Sequence, residues 1–181
     1  MTFDHAQRVN AAAEAAEFAV AAYVAYLNRM SDAEAVRPLI GGWTPAQHAG
    51  HLAMTNDVFR GAIDGGPACC GVEPFAGLSD FPDESWSMDT PPPATAPPII
   101  IAPPTIRRGE AARHLSQSIV DLAPVIRAMT PERGRMAVRL PWAVVSLYQM
   151  CEWASGHTIR HITQVNRERQ LGVVRTAVAR T

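Results

Sequence analysis

Residues Ser146 to Leu171 read SLYQMCEWASGHTIRHITQVNRERQL. Taken by threes and fours, one face carries Leu147, Met150, Ala154, His157, His161, Gln164 and Glu168. That spacing is helical. Ser146 with Gln149 three residues on forms a capping box, which starts the helix at Ser146. The pattern carries it to about Gln170 or Leu171, with Gly172 as the expected stop. The face begins apolar and turns polar halfway along without moving round the helix. Burying imidazoles costs free energy unless they find partners, so a core stripe that becomes His-x-x-x-His-x-x-Gln asks for a chemical reason.

Three further helices surround this one in the pattern. The first spans about Asp4 to Met30, with Val9, Ala13, Ala16, Val20, Tyr23, Val24 and Leu27 at helical spacing. The second opens at Thr44-Pro45-Ala46-Gln47, a threonine cap, a proline at the first helical position and a glutamine three after the cap. It runs to about Ile63 and stops at Gly65-Gly66, with His51, Met54 and Val58 on one face. The third spans about Ile106 to Met129 on a stripe of Leu115, Ile119, Leu122 and Ile126, with Pro124 expected to kink it. A turn at Thr130-Pro131 and a short extended piece from Ala137 to Leu140 precede the last helix. Helices dominate, and an all-α four-helix bundle is the economical fold, one domain over residues 1–181.

Between the second and third helices lies an irregular stretch, 65–104. It holds Pro91-Pro92-Pro93, Pro97-Pro98 and Pro103-Pro104, a spacing that favours extended chain and forbids a long helix. Such a link is far longer than the usual helix–helix connection. Pattern alone leaves the bundle's topology open. Ile99-Ile100-Ile101 argues that the stretch packs on the bundle as a lid or a dimer arm, because three exposed isoleucines would be a liability.

The chain of 181 residues carries 16 basic and 17 acidic side chains, a formal charge of −1, which gives no footprint for nucleic acid or an anionic membrane. All the bases are arginine, a composition that fits genomic bias and carries no functional message. The apolar run Phe18 to Leu27 is half of what a membrane span needs, and no signal-like region precedes it. A soluble, cytoplasmic protein is expected. Three cysteines, the pair Cys69-Cys70 and Cys151, make no disulfide framework, and Cys151 reads as a small core residue.

Histidines four apart on a helix stand one above the other, about 6 Å apart. Both can converge on one cation at roughly 2.1 Å. His51 points inward from the second helix, and His48 lies near the same face. If the two helices are neighbours, His51, His157 and His161 make three protein ligands with a position left open, the pattern of a catalytic metal site. Three neutral imidazoles leave the cation's charge intact, so a bound water or thiol would be strongly acidified. Gln164 could orient a ligand from behind. His5 and His114 read as surface residues.

Trp43-Thr44-Pro45-Ala46-Gln47-His48-Ala49-Gly50-His51-Leu52 resembles a DinB-like pattern: a tryptophan, a Ser/Thr-Pro turn and a histidine eight residues after the tryptophan. Gly156-His157-Thr158-Ile159-Arg160-His161-Ile162-Thr163-Gln164-Val165 resembles the same family's last-helix motif. The resemblance implies an up-down-down-up bundle, a divalent metal on His51, His157 and His161, and frequent homodimers. It selects His51 over His48, which lacks the distance from Trp43. Characterised members look like thiol-dependent S-transferases and isomerases that use low-molecular-weight thiols such as mycothiol or bacillithiol. Zinc is the first expectation, with nickel, iron or manganese as alternatives. Gln47, a candidate support behind the metal, stands where many members have glutamate, and the proline-rich insertion departs from the family's pattern.

Three functions follow as expectations. In the first, a metal-bound thiolate attacks an electrophilic small molecule, with Arg160 or a loop arginine on an anionic group and Trp43 in the pocket. In the second, the metal activates water for hydrolysis, with no obvious general base: Glu152 is off the inner stripe and Glu168 nearly two turns past His161. In the third, the bundle is a non-catalytic metal- or ligand-binding module.

Overall fold

The computed structural model describes residues 4–65, 72–73, 96, 98–139 and 144–178, with the backbone alone at 72–73 and 173–178. The described residues form six α-helices, α1 (His5–Asn28), α2 (Asp32–Ala35), α3 (Pro45–Asp64), α4 (Arg108–Ala128), α5 (Pro131–Gly134) and α6 (Leu147–Val178), and three short strands, β1 (Val72–Glu73), β2 (Ala137–Arg139) and β3 (Val144–Ser146). Both boxes form as their residues dictate. Thr44 and Gln47 exchange side-chain-to-backbone bonds at 3.0 Å each way, and Ser146 and Gln149 do the same at 2.9 and 3.1 Å. Asp4 caps α1 through Gln7 N. Gly65 ends α3 at φ 79, a left-handed conformation that L side chains resist.

The four long helices form a ring in which α1 packs on α4 and α6, and α3 packs on α4 and α6. Directions follow from the pairs that bridge them. Arg8 reaches Glu152 and Arg169 reaches Tyr26, so α1 and α6 run parallel. Arg108 reaches Met30 O and Arg127 reaches Glu17, so α4 runs against α1. Asp57 meets His114 and Arg60 meets Asp121, so α3 and α4 run parallel. His51 opposite His157 and His48 opposite His161 set α3 against α6. The order is therefore up-down-down-up, the topology that pattern had left open. Two adjacent parallel helices need a connection that returns along the bundle. α3 alone is 20 residues, about 30 Å. The long link between α3 and α4 supplies that return. Fully buried Tyr23, Leu27, Leu52, Leu115, Leu122, Leu147, Met150 and Val165 fill the interior between these helices.

Several expectations need correction. The last helix does not stop at Gly172 but continues to Val178. Gly172 has no positive φ, and a lone glycine of helical conformation costs α6 only about 1 kcal/mol. The turn at Thr130-Pro131 is a complete helical turn, α5, capped by Thr130 Oγ1 on Arg133 N at 3.2 Å. The extended piece forms as expected, as β2, and is a central strand: β1 pairs with it on one side and β3 on the other, both antiparallel. Strands of two and three residues are too short for a periodicity of 2 to register. Pro124 lies within α4, on its exposed side. Ile99 and Ile101 are 57% and 41% exposed, so the isoleucine run does not bury itself as expected. Cys151 is buried, and burial pushes its thiol pKa up, as expected of a core residue. Cys69, Cys70 and most of the proline-rich stretch lie outside the described residues. Among the described residues no helix is long and apolar enough to cross a membrane.

Candidate metal centre

The first turns of α3 carry His48 and His51; the middle of α6 carries His157 and His161. Because the helices are antiparallel, each pair of one meets a pair of the other. His51 Nε2 lies 3.3 Å from His157 Nε2, and His157 Nε2 lies 3.0 Å from His161 Nε2. The ligand atoms of His51, His157 and His161 all fall within 4.8 Å of one another. This is the triad expected from spacing, assembled as expected.

The backs of the rings are held too. His51 Nδ1 is 2.8 Å from Ile100 O. A carbonyl only accepts, so the proton of the neutral ring sits on Nδ1 and the lone pair on Nε2, facing the other two. His161 Nδ1 is 2.8 Å from Nδ1 of His48. His157 stacks on Trp153 with ring centroids 4.8 Å apart. Trp43 lies against His48 and His51 at 5.3 and 5.2 Å.

His48, His51 and His157 are 3%, 4% and 8% exposed. Burial holds all four imidazoles below their usual pKa, His48 down to about 4; repulsion from neighbouring histidines adds to the effect at His48, His157 and His161, while the bond to Ile100 O opposes it at His51. Glu168 works the other way on His48. The field of Arg160, exposed on the outer side of α6, also disfavours protonated His157 and His161. At neutral pH the cluster therefore offers uncharged nitrogen donors. Bonds of roughly 2.1 Å in a tetrahedron put neighbouring donors about 3.4 Å apart. The observed 3.0 and 3.3 Å spacings are close to that edge, so the residues fit a cation. His51, His157 and His161 could hold a metal ion.

The other expected site residues take different places. Gln47 completes the α3 cap and also donates to Ala102 O at 3.5 Å. Gln164 donates to Glu168 Oε1 at 3.0 Å, and Glu168 accepts from Gly41 N at 2.9 Å. Glu152 is tied to Arg8. His5 and His114 are not bare surface groups: His5 Nδ1 is 2.6 Å from Tyr148 Oη and His114 is 3.1 Å from Asp57. His48, set aside in favour of His51 as a ligand, takes a place of its own behind His161. Its signal was available: three residues before His51, it shares that inward face.

A helical bundle with a buried three-histidine cluster at one end is the class defined by these observations. The model of the DinB superfamily matches residues 15–165, more than half of the chain and both histidine motifs, and the chain belongs to that superfamily. Neither the curated proteins nor the solved structures gave a match.

Proposed function

We propose that this chain is a divalent-metal-dependent enzyme that transfers a low-molecular-weight thiol to an electrophilic small molecule, acting as a cytoplasmic homodimer with zinc as its metal. The observation that carries the reading is the all-imidazole donor set. A cation held by three neutral histidines keeps its full charge and acidifies a thiol that ligates it, so that thiolate exists at neutral pH. His51, His157 and His161 supply the lone pairs. Ile100 O and His48 hold two of those rings from behind. Trp43 forms an aromatic wall beside His48 and His51; Arg160, expected as the partner of an anionic group, lies exposed on the outer side of α6 and is not assigned that role.

Hydrolysis by a metal-activated water is the weaker reading. A general base would help it, and the two carboxylates that the sequence offered are engaged elsewhere: Glu152 with Arg8, Glu168 with Gly41 and Gln164. Metal content after purification without chelator tests the first step, with His157→Ala expected to lose the metal. A panel of electrophiles assayed with and without added thiol tests the second. Turnover that ignores thiol would refute thiol transfer in favour of hydrolysis.

A further inference from the structure

Residues 98–106 cross the N-terminal half of α3 as a strap, beginning with a 3₁₀ turn at Pro98–Ile100. Its seat is built from backbone and small side chains. Ile100 O accepts from His51 Nδ1 at 2.8 Å, and Ala102 O accepts from Gln47 Nε2 at 3.5 Å. Ala102 and Ile106, 1% and 6% exposed, lie directly over Gly50. A Cβ at Gly50 would sit 2.8 Å from each of them, closer than real Cβ contacts come. The strap can therefore approach α3 only because position 50 carries no side chain.

One contact of the strap has chemical content. Ile100 O fixes the proton of His51 on Nδ1 and leaves Nε2 as the donor atom. Without that acceptor the ring is free to hold its proton on either nitrogen or to turn. A cation on Nε2 draws electron density from the ring and makes Nδ1–H a stronger donor to the same carbonyl, so each event favours the other.

We infer that the 98–106 strap is a positioning element of the metal centre: seated over Gly50, it aims His51 through the Ile100 carbonyl, and metal loading and strap seating are thermodynamically coupled. This rests on the three-histidine reading. It assigns the end of the proline-rich insertion a part in metal affinity.

The test uses the full chain and zinc alone. Zinc affinity is measured by competition with a chromophoric chelator for wild type, Gly50→Ala and Gly61→Ala. Gly61 is on the same helix with nothing within 4 Å of its Cβ position. Gly50→Ala is expected to bind zinc about 10- to 100-fold more weakly, the usual effect of losing a group that orients a ligand. Gly61→Ala is expected to match wild type. Amide exchange over residues 98–106 of the wild-type protein is expected to slow by a similar factor at saturating zinc, since the coupling is reciprocal. A folded Gly50→Ala protein with wild-type zinc affinity overturns the inference. So does exchange in 98–106 that ignores zinc, and this second measurement decides the matter if Gly50→Ala does not fold. Wild-type protein that binds no zinc overturns the three-histidine reading itself, and the strap's role falls with it.

Discussion

Acidifying the metal-free protein from pH 7 to pH 5 should unfold it more easily, through the histidine cluster. His48 has a pKa of about 4 in the folded chain against 6.5 for an ordinary histidine. The folded state thus resists a proton that the unfolded state accepts. The sign follows: the unfolded chain binds more protons between these values, so stability is complete above pH 6.5 and falls as pH drops toward 4. At pH 5 His48 alone costs about 2 kcal/mol, from the ratio of the two proton-binding polynomials. His51, His157 and His161 are shifted the same way and add to the loss. The window matters. Glu17, Glu34 and Glu132 have lowered pKa values, so their contribution fades only below about pH 4.5, outside it. Urea unfolding followed by circular dichroism, with chelator present, gives the number: a midpoint that falls by at least the equivalent of 2 kcal/mol. A free energy of unfolding that is level from pH 7 to pH 5 would refute the burial of neutral imidazoles on which the whole centre depends.

Three other outcomes are open to measurement. Ser118→Ala leaves the buried Asn56 amide without the Oγ that accepts from it at 3.0 Å, and should lower stability by about 1–3 kcal/mol in a urea titration. Gly172→Ala should raise the melting temperature, by about 0.5–1 kcal/mol of stability, because α6 continues through that position; a loss would mean that the glycine serves as a stop after all. Glu168→Gln removes the carboxylate whose field favours protonated His48, so the His48 titration followed by NMR should move to lower pH. A move upward would show that Glu168 does not act on the cluster.

Helix starts were legible because capping chemistry is local: Thr44 with Gln47 and Ser146 with Gln149 act within four residues. Helix ends were half legible. Gly65 and Gly172 look alike in sequence, yet only Gly65 takes the left-handed conformation that ends a helix. His157 and His161 could be read together because their spacing repeats the helical period, and His51 because it shares the inward face of α3 with Met54 and Val58. His48 follows the same rule and was set aside because a family pattern preferred its neighbour. The parts that stayed hidden are non-local. β1 and β2 pair across more than sixty residues. The carbonyl that orients His51 belongs to residue 100, and no side-chain pattern marks a backbone acceptor. The isoleucine run misled for the same reason, since the strap is held by Ala102, Ile106 and main-chain oxygens, not by Ile99 or Ile101.

The up-down-down-up order also sets when the centre can exist during folding. Its contacts join residues 106 and 113 apart in the chain. Closing such loops is slow, and nothing in α3 or α6 alone presents more than two of the nitrogens. A cation held by this cluster would join α3 to α6 across those separations, unlike the short local loops that a small zinc finger closes. If the cluster takes up a cation, its capture should come late in assembly, so that in a refolding experiment the metal signal trails the recovery of helix.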